Sequence, residues 1–156
     1  MNGLTKIKII FLVVLAVIIL FLFSFFYRLN FQSGNEHKPL FKIGNSEIKV
    51  DVVDTSSERA KGLSGRNSLA PNEGMLFNFD HPDFWGIWMK EMNFSIDIIW
   101  MDENMKVVDI KTDASPDSYP EVFYPKQKSS YVLELNAGFA KEHGINVGGK
   151  MSSLEK

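Results

Sequence analysis

Residues 40–52 have the sequence LFKIGNSEIKVDV, which gives the clearest indication of the fold of this chain. The apolar run Leu40–Ile43 is followed by Gly44-Asn45-Ser46, residue types that favour a tight turn between two strands. After the turn, every second residue is apolar and would face a core: Ile48, Val50 and Val52. The stretch therefore predicts a β-hairpin and, with it, a fold built mainly from strands.

The segment from Pro39 to Met151 continues this pattern of short apolar runs separated by turn residues. A turn is expected at residues 80–83, and Asp102-Glu103-Asn104 predicts a hairpin turn. Three prolines at 116, 120 and 125 predict an irregular connection, because each removes a backbone donor. Further strands are predicted at residues 75–79, 85–89, 96–101, 105–110 and 131–135. The glycine-rich residues 144–149 predict turns around a final short strand.

Two short helices are expected between the strands. Thr55 and Glu58 have the spacing of a capping box, which predicts a helix over Ser57–Ser64 that Gly65 would end. A weaker helical pattern covers Ala137–His143. We therefore expect a mainly β fold with one or two short helices (α+β), as a compact single-domain sheet or a small, partly open barrel.

The N-terminal part of the chain has a different composition. Residues 9–27 contain only one polar residue, Ser24, and no charge, glycine or proline, and 19 such residues approach the length that spans a bilayer. This run exceeds the apolar stretch of about 7–15 residues in a cleaved signal peptide, so it favours a transmembrane signal anchor over a cleaved signal or a buried helix. Lys6 and Lys8 precede the run and favour a cytoplasmic N-terminus, with the remainder exported.

These observations predict five segments. The predicted segments are a short cytoplasmic N-terminus (1–8), a transmembrane helix (9–27), a tether (28–38), a β-rich exported domain (39–151) and a tail (152–156). The tether is predicted from its polar residues and Gly34. The expected location is therefore the cell membrane, in a single pass, with the domain outside the cytoplasm.

Charge and cysteine content exclude several classes of function. The chain has 17 basic and 19 acidic residues; three of the basic ones lie before residue 29, so 14 basic residues face 19 acidic ones after it. Nucleic acid is therefore not an expected partner, since its binding requires a basic surface. The absence of cysteine excludes disulfides, thiolate nucleophiles and cysteine-ligated metals.

A set of residues between Ile48 and Met151 resembles a known family. The set comprises Thr55, Glu58-Arg59-Ala60, Gly62-Leu63, Arg66, Leu69, Gly74-Met75-Leu76-Phe77, Trp88-Met89-Lys90, Asp97-Ile98-Ile99, Leu133-Glu134-Leu135-Asn136-Ala137-Gly138 and Gly144-Ile145. It is similar to the domain-of-unknown-function family numbered 192, whose members are small and often carry a signal or an anchor. The resemblance implies a compact, mostly β domain without an established activity. The chain departs from the family at Ser64, where methionine is usual, at Glu91-Met92, where Asn-Thr is usual, and at Gly149, where an acid is common.

Several charged residues of this set lie in apolar surroundings. Trp88 and Lys90 would share one face of a strand, while Asp97 and Glu134 are flanked by apolar residues. A buried charge is unfavourable unless it is paired, so Lys90 is expected to pair with Asp97 or Glu134. In the simplest interpretation these charges connect the sheet to a helix.

The same charges allow an alternative in which they bind a ligand. Arg59 and Arg66 are seven residues apart, a spacing that places both on one helical face if the helix extends that far. With Lys90 they would form a pocket for a small anionic ligand. The candidate binding residues are Arg59, Arg66, Trp88, Lys90, Asp97 and Glu134.

Two further alternatives concern catalysis and metal binding. Asp97 and Glu134 are a possible carboxylate pair for an envelope hydrolase, although no sequence motif of a known catalytic site is present. Methionine thioethers bind Cu(I), and six methionines are candidates: Met75, Met89, Met92, Met101, Met105 and Met151. The three histidines are scattered, and we predict no catalytic residue, no cofactor and no zinc site.

The expected function is that of a membrane-anchored extracytoplasmic domain that binds or scaffolds at the cell envelope. Its expected partners are the membrane, through residues 9–27, and either a small anionic ligand or an envelope protein.

Overall fold

The computed structural model describes residues 3–31 and 38–155, with side chains at residues 8, 11–26 and 38–155. The chain separates into two compact units, residues 1–37 and 38–156. The predicted tether falls at the junction of the two units. Its first four residues belong to the N-terminal helix, and residues 32–37 lie outside the described residues.

The described residues of the N-terminal unit form one helix, α1, which comprises Gly3–Phe31. Its large apolar side chains from Phe11 to Phe26 are exposed in the isolated chain. The sequence predicts a membrane span over residues 9–27. Among the residues whose side chains the structure describes, however, no helix is long and apolar enough to cross a membrane.

The second unit is built from two sheets, which confirms the mainly β prediction. The described residues form the strands β1 (Leu40–Ile43), β2 (Ser46–Val53), β3 (Glu73–Asp83), β4 (Ile87–Trp88), β5 (Ile96–Met101), β6 (Val107–Ala114), β7 (Val122–Phe123), β8 (Ser129–Asn136) and β9 (Ser152–Ser153). Seven of them form one curled sheet in the order β6-β5-β8-β3-β2-β1-β9, and β4 pairs with β7 in a separate ribbon. Two short helices, α2 (Ser56–Lys61) and α3 (Phe139–Glu142), and a 3-10 turn at Pro116–Ser118 complete the described part.

The large sheet is antiparallel except at one place. Strands β2 and β3 are parallel, because the connection through α2 crosses from one end of the sheet to the other. The predicted β1–β2 and β5–β6 hairpins are confirmed. After α3, the backbone of residues 148–151 hydrogen-bonds to Val107 at the start of β6 and to Met105, two residues before it, and β9 then pairs with β1. The end of the chain thus links the two edges of the sheet.

Apolar residues cover both faces of this sheet. On one face, which we call the inner face, Leu133 and Leu135 of β8 pack with Ile99 and Met101 of β5 under α3. The opposite, outer face contains Val132 and Ile98, and is covered by the segment from α2 to Leu69 and by β4. Because side chains alternate along a strand, neighbouring residues of β8 belong to different cores.

Four local predictions differ from the structure. Strand β3 continues through the expected turn at residues 80–83; its pairing with β8 is interrupted between Asn78 and Asp83, and such an interruption accommodates Pro82. The strand expected at residues 85–89 is reduced to Ile87–Trp88. Helix α2 ends at Gly62 rather than Gly65.

The fourth difference concerns the C-terminus. The sequence predicts a final short strand within residues 144–149. In the structure these residues form turns, and their backbone hydrogen-bonds to β6 without forming a strand. The last strand is instead Ser152–Ser153, inside the predicted tail, where it gains two pairing partners on β1. Backbone pairing at a sheet edge does not depend on an apolar pattern, so this strand has no signature in the sequence.

Candidate functional site

A cavity of about 270 Å³ lies on the outer face of the large sheet. Its floor is formed by Phe77 of β3 and Glu134 of β8, and its sides by α2 with the following loop and by the β4 region. The residues that line it are Arg59, Ala60, Lys61, Gly62, Leu63, Ser64, Phe77, Phe79, Gly86, Ile87, Trp88, Met92 and Glu134. Three predicted binding residues, Arg59, Trp88 and Glu134, therefore meet at one cavity.

Helix α2 is positioned by caps at both ends. At its start, the Thr55 hydroxyl accepts a hydrogen bond from the Glu58 amide, and the Glu58 carboxylate accepts one from the Thr55 amide. This is the predicted capping box, and its hydrogen bonds lower the pKa of Glu58. At its end, Gly62 has a φ of 48°, which favours glycine, and a side chain there would meet the Phe77 ring at 3.3 Å.

The loop after α2 is attached both to the sheet and to the neighbouring turn. Leu63 is buried in the outer core. The Ser64 hydroxyl donates to the Lys90 carbonyl at 2.8 Å, and the Gly65 amide donates to the Glu91 carbonyl at 2.9 Å. Two positions at which the chain departs from the family pattern, Ser64 and Met92, thus lie on the cavity wall.

Glu134 is the most unusual group in the cavity. Its residue is only 5% exposed, and no described residue forms a hydrogen bond or an ion pair with its carboxyl group. Every fully enclosed side-chain oxygen or nitrogen of the described residues has a partner, so this carboxyl group opens on the cavity. Burial raises the pKa of Glu134 to about 8, with a smaller opposing effect from the Arg66 guanidinium. The group is therefore mostly protonated at neutral pH.

Arg59 is held at the wall of the cavity by backbone oxygens and a ring. Its Nη1 donates to the carbonyl of Asp54 and, at 2.8 Å, to that of Asn78. Its guanidinium carbon lies 5.2 Å from the centre of the Phe79 ring, whose stacking partner is Trp85 at 4.1 Å. These contacts leave three of its five N–H donors without a partner among the described residues.

Trp88 and Lys90 are adjacent but have different positions. Trp88 lines the cavity and is 49% exposed. Its ring packs edge-to-face with that of Tyr119, and the two ring centres are 6.2 Å apart. Lys90 is not part of the cavity wall; its ammonium lies 5.8 Å from the Trp88 ring centre and 3.9 Å from the Glu91 carboxylate. The predicted pairing of Lys90 with Asp97 or Glu134 is therefore wrong, because the turn after β4 directs this side chain to the surface.

Arg66 is also outside the cavity wall. Its guanidinium forms a 2.8 Å ion pair with Asp51 of β2, whose carboxylate also lies 3.2 Å from the Lys38 ammonium. Helix α2 ends before Arg66, so Arg59 and Arg66 do not share a helical face. The predicted anion pocket of Arg59, Arg66 and Lys90 does not form; only Arg59 reaches the cavity.

Asp97 has a structural role on the inner face. Its two carboxylate oxygens accept hydrogen bonds from the amides of Asp113 at 2.9 Å and Ala140 at 2.8 Å, and its residue is fully buried. In the register of β5 and β8, Asp97 pairs with Leu135, whereas Glu134 pairs with Ile98. The two carboxyl groups therefore point to opposite faces of the sheet. This arrangement rules out the proposed carboxylate pair of a hydrolase.

The methionines do not form one copper site either. Met75, Met89 and Met92 belong to the outer core, whereas the other three, Met101, Met105 and Met151, belong to the inner core. Thioethers separated by the sheet cannot share one ion. Among the described residues, no three histidine, aspartate or glutamate side chains are grouped closely enough to hold a metal.

Most of the apolar wall of the cavity is not apparent from the sequence. Phe77 and Phe79 are predicted strand residues, but their pattern alone does not show which segment covers them. Gly86 also lines the cavity, and a side chain there would approach the Tyr124 ring to 2.6 Å. Its small size was the one signal available, since a glycine inside a strand pattern often marks a close approach.

Comparisons with known proteins agree with this fold. The model of the DUF192 family, described as "Uncharacterized ACR", matches residues 40–153. A putative transcription regulator from Sinorhizobium meliloti 1021 has a similar crystal structure, with a TM-score of 0.71 and 27% identity over 74% of this chain and 93% of that one. A protein of unknown function from Novosphingobium aromaticivorans DSM 12444 has a TM-score of 0.68 and 29% identity over 72% of this chain and 83% of that one. No curated protein sequence matches the chain.

Proposed function

The chain belongs to the DUF192 family, and we propose that its β domain is a binding module that takes a small molecule into the cavity on the outer face of the sheet. The observation that carries this proposal is the carboxyl group of Glu134. A carboxyl group with little access to solvent and no hydrogen-bond partner in the protein is unfavourable, and Glu134 can find a partner only in the cavity. A ligand group that bonds to Glu134 would remove this penalty.

The walls of the cavity indicate the size and character of the ligand. Pockets for ligands are commonly about 300–1,000 Å³, so a cavity of about 270 Å³ suits a small molecule. Phe77, Leu63 and Ile87 offer apolar contact, and polar groups are few. This combination of apolar walls with a few polar groups is typical of small-molecule sites.

Native mass spectrometry of the full chain, isolated gently from the cells that produce it, tests the proposal directly. We expect an additional mass that is retained in the native spectrum and lost on denaturation. A bare native mass would contradict the proposal and favour an envelope protein as the partner.

Two variants link such a ligand to the cavity. Met92→Trp adds volume at the cavity wall and should reduce the occupied fraction, whereas Met92→Leu preserves the volume and should retain the ligand. Unchanged occupancy in Met92→Trp, with an unchanged melting temperature, would place the ligand elsewhere and contradict the proposal.

The proposed location rests on the sequence alone. Residues 9–27 and the preceding Lys6 and Lys8 favour a membrane-bound chain with its domain outside the cytoplasm, although the described residues contain no helix that qualifies as a span. A reporter enzyme that is active only outside the cytoplasm, fused after Lys156, tests this orientation. Reporter activity would support it, and an inactive but intact fusion would contradict it.

A further inference from the structure

The cavity contains groups of both charge signs, and their positions restrict the chemistry of the ligand. Glu134 lies at the floor, while Arg59 and the exposed Lys61 lie on the side formed by α2. From this arrangement we infer that the ligand is a small zwitterion of the amino-acid class, whose ammonium pairs with Glu134 and whose carboxylate pairs with Arg59. This inference rests on the proposed binding function and specifies its ligand.

The case for an ammonium begins with the burial of Glu134. A ligand ammonium beside this carboxyl group would take the place of the missing hydrogen-bond donor and stabilise the ionised form. The apolar surroundings would strengthen this pair, because the local dielectric constant is low. Met75 and Ile98, the residues opposite Glu134 on the two neighbouring strands, provide no competing donor side chain.

The case for a carboxylate on the same ligand comes from the two cations. Arg59 and Lys61 would repel a ligand that carried only a positive charge. The three N–H donors of Arg59 that have no partner match the fork geometry with which guanidinium groups bind carboxylates. Its Nη1 contact with the Asn78 carbonyl and its ring contact with Phe79 hold the guanidinium in place before any ligand arrives.

The strand register shows that Glu134 and Arg59 lie near each other along β3. Glu134 is opposite Met75 on β3, and Arg59 donates to the carbonyl of Asn78, three residues further along the same strand. Three residues of a strand span about 10 Å, and both side chains line the same cavity of about 270 Å³. A single small molecule in the cavity can therefore reach both groups.

Calorimetric titration of the full chain at neutral pH with three matched probes tests this inference. Phenylalanine carries both charges, 2-phenylethylamine only the ammonium, and 3-phenylpropanoate only the carboxylate. We expect phenylalanine to bind at least about tenfold more tightly than either single-charge probe, since each charge-assisted hydrogen bond contributes at least this factor. A second series consists of leucine, 3-methylbutylamine and 4-methylpentanoate. It repeats the test with an aliphatic ligand side chain, in case the phenyl ring of the first series does not fit the cavity.

Variants assign each charge to its residue. In Glu134→Gln the advantage of the amino acid over the matching acid should disappear, and in Arg59→Gln its advantage over the matching amine should disappear. Glu103→Gln, in the exposed turn between β5 and β6, serves as the control and should leave all affinities unchanged. Melting curves identify any variant that fails to fold. In a folded variant the affinities of the three probes are compared with one another, so a general loss of stability does not affect the result.

Two results would overturn the inference. The first is a single-charge probe that binds as tightly as its amino acid in either series, and the second is a lack of binding by every probe at millimolar concentration. Neither result affects the proposed binding function if native mass spectrometry finds another bound molecule that Met92→Trp displaces. If no bound molecule is found, both the function and the ligand class are wrong.

Discussion

Replacing Glu134 with glutamine is expected to change how the stability of the domain depends on pH. Burial raises the pKa of this carboxyl group from 4.5 to about 8. Between these two pH values the folded chain binds more protons than the unfolded chain, so the free energy of unfolding decreases as the pH rises. The decrease is complete above pH 8, where the folded state contains a buried carboxylate.

The size of the effect follows from the shift in pKa. A rise from 4.5 to about 8 corresponds to a loss of about 5 kcal/mol at about 1.4 kcal/mol per pKa unit. This value is an upper limit, because a charged Glu134 can draw water into the cavity. It is nevertheless comparable to the total stability of a small domain, about 5–15 kcal/mol. Glutamine has nearly the same shape but no charge, so Glu134→Gln should retain the stability that the parent chain loses.

Urea unfolding at pH 5, 7 and 9, followed by tryptophan fluorescence, measures this difference. We expect the two ligand-free proteins to have similar stability at pH 5, and Glu134→Gln to be more stable by several kcal/mol at pH 9. Groups other than Glu134 titrate alike in both proteins, so their contribution cancels when the two free energies of unfolding are subtracted at each pH. Glu103→Gln, in an exposed turn, controls for the loss of a negative charge. Stability profiles that remain parallel from pH 5 to 9 would show that Glu134 does not titrate with a raised pKa in the folded domain.

Three further substitutions test the framework of the domain. Asp97→Ala leaves the buried amide of Ala140 and the partly buried amide of Asp113 without an acceptor, so urea unfolding should show a loss of about 2–5 kcal/mol; a loss below 1 kcal/mol would contradict this role. Thr55→Ala removes the capping box and should lower the free energy of unfolding by about 1 kcal/mol, and restoration with serine but not valine would confirm the hydrogen bond. Gly138→Ala should cost about 1 kcal/mol, because alanine disfavours the left-handed conformation of this residue. Gly44→Ala should be more destabilising, because only there would the new carbon also lie 2.3 Å from a carbonyl oxygen. Equal melting temperatures for the two alanine variants would show that this contact relaxes freely.

The local elements were predictable because their signals lie within a few residues. The turn at Gly44-Asn45, the capping box of Thr55 and Glu58, and the alternation in Tyr131–Leu135 each act over less than ten residues. Where a local signal failed, a longer-range contact had replaced it. Strand β3 runs past Pro82 because it pairs with β8 again at Asp83 and Ser129, after an interruption that begins beyond Asn78.

The candidate site was only partly predictable, because it depends on contacts between distant parts of the chain. The sequence marked Asp97 and Glu134 as charges in apolar strands, and both are indeed buried. It could not show that one is satisfied by two amides while the other faces a cavity without a partner. That difference depends on which segments cover each face of the sheet.

The family, the mainly β composition, the capped helix and the two hairpins can be read from the sequence, since they follow from local patterns and from the order of matched residues. Tertiary packing was needed to show that Arg59, Trp88 and Glu134 meet, that Arg66 and Lys90 lie outside the cavity wall, and that Asp97 lies on the other face. The physical reason is that strand order and register are set by packing over the whole domain. A shift of one residue in the pairing of β5 with β8 would exchange the two faces of a strand without changing the sequence.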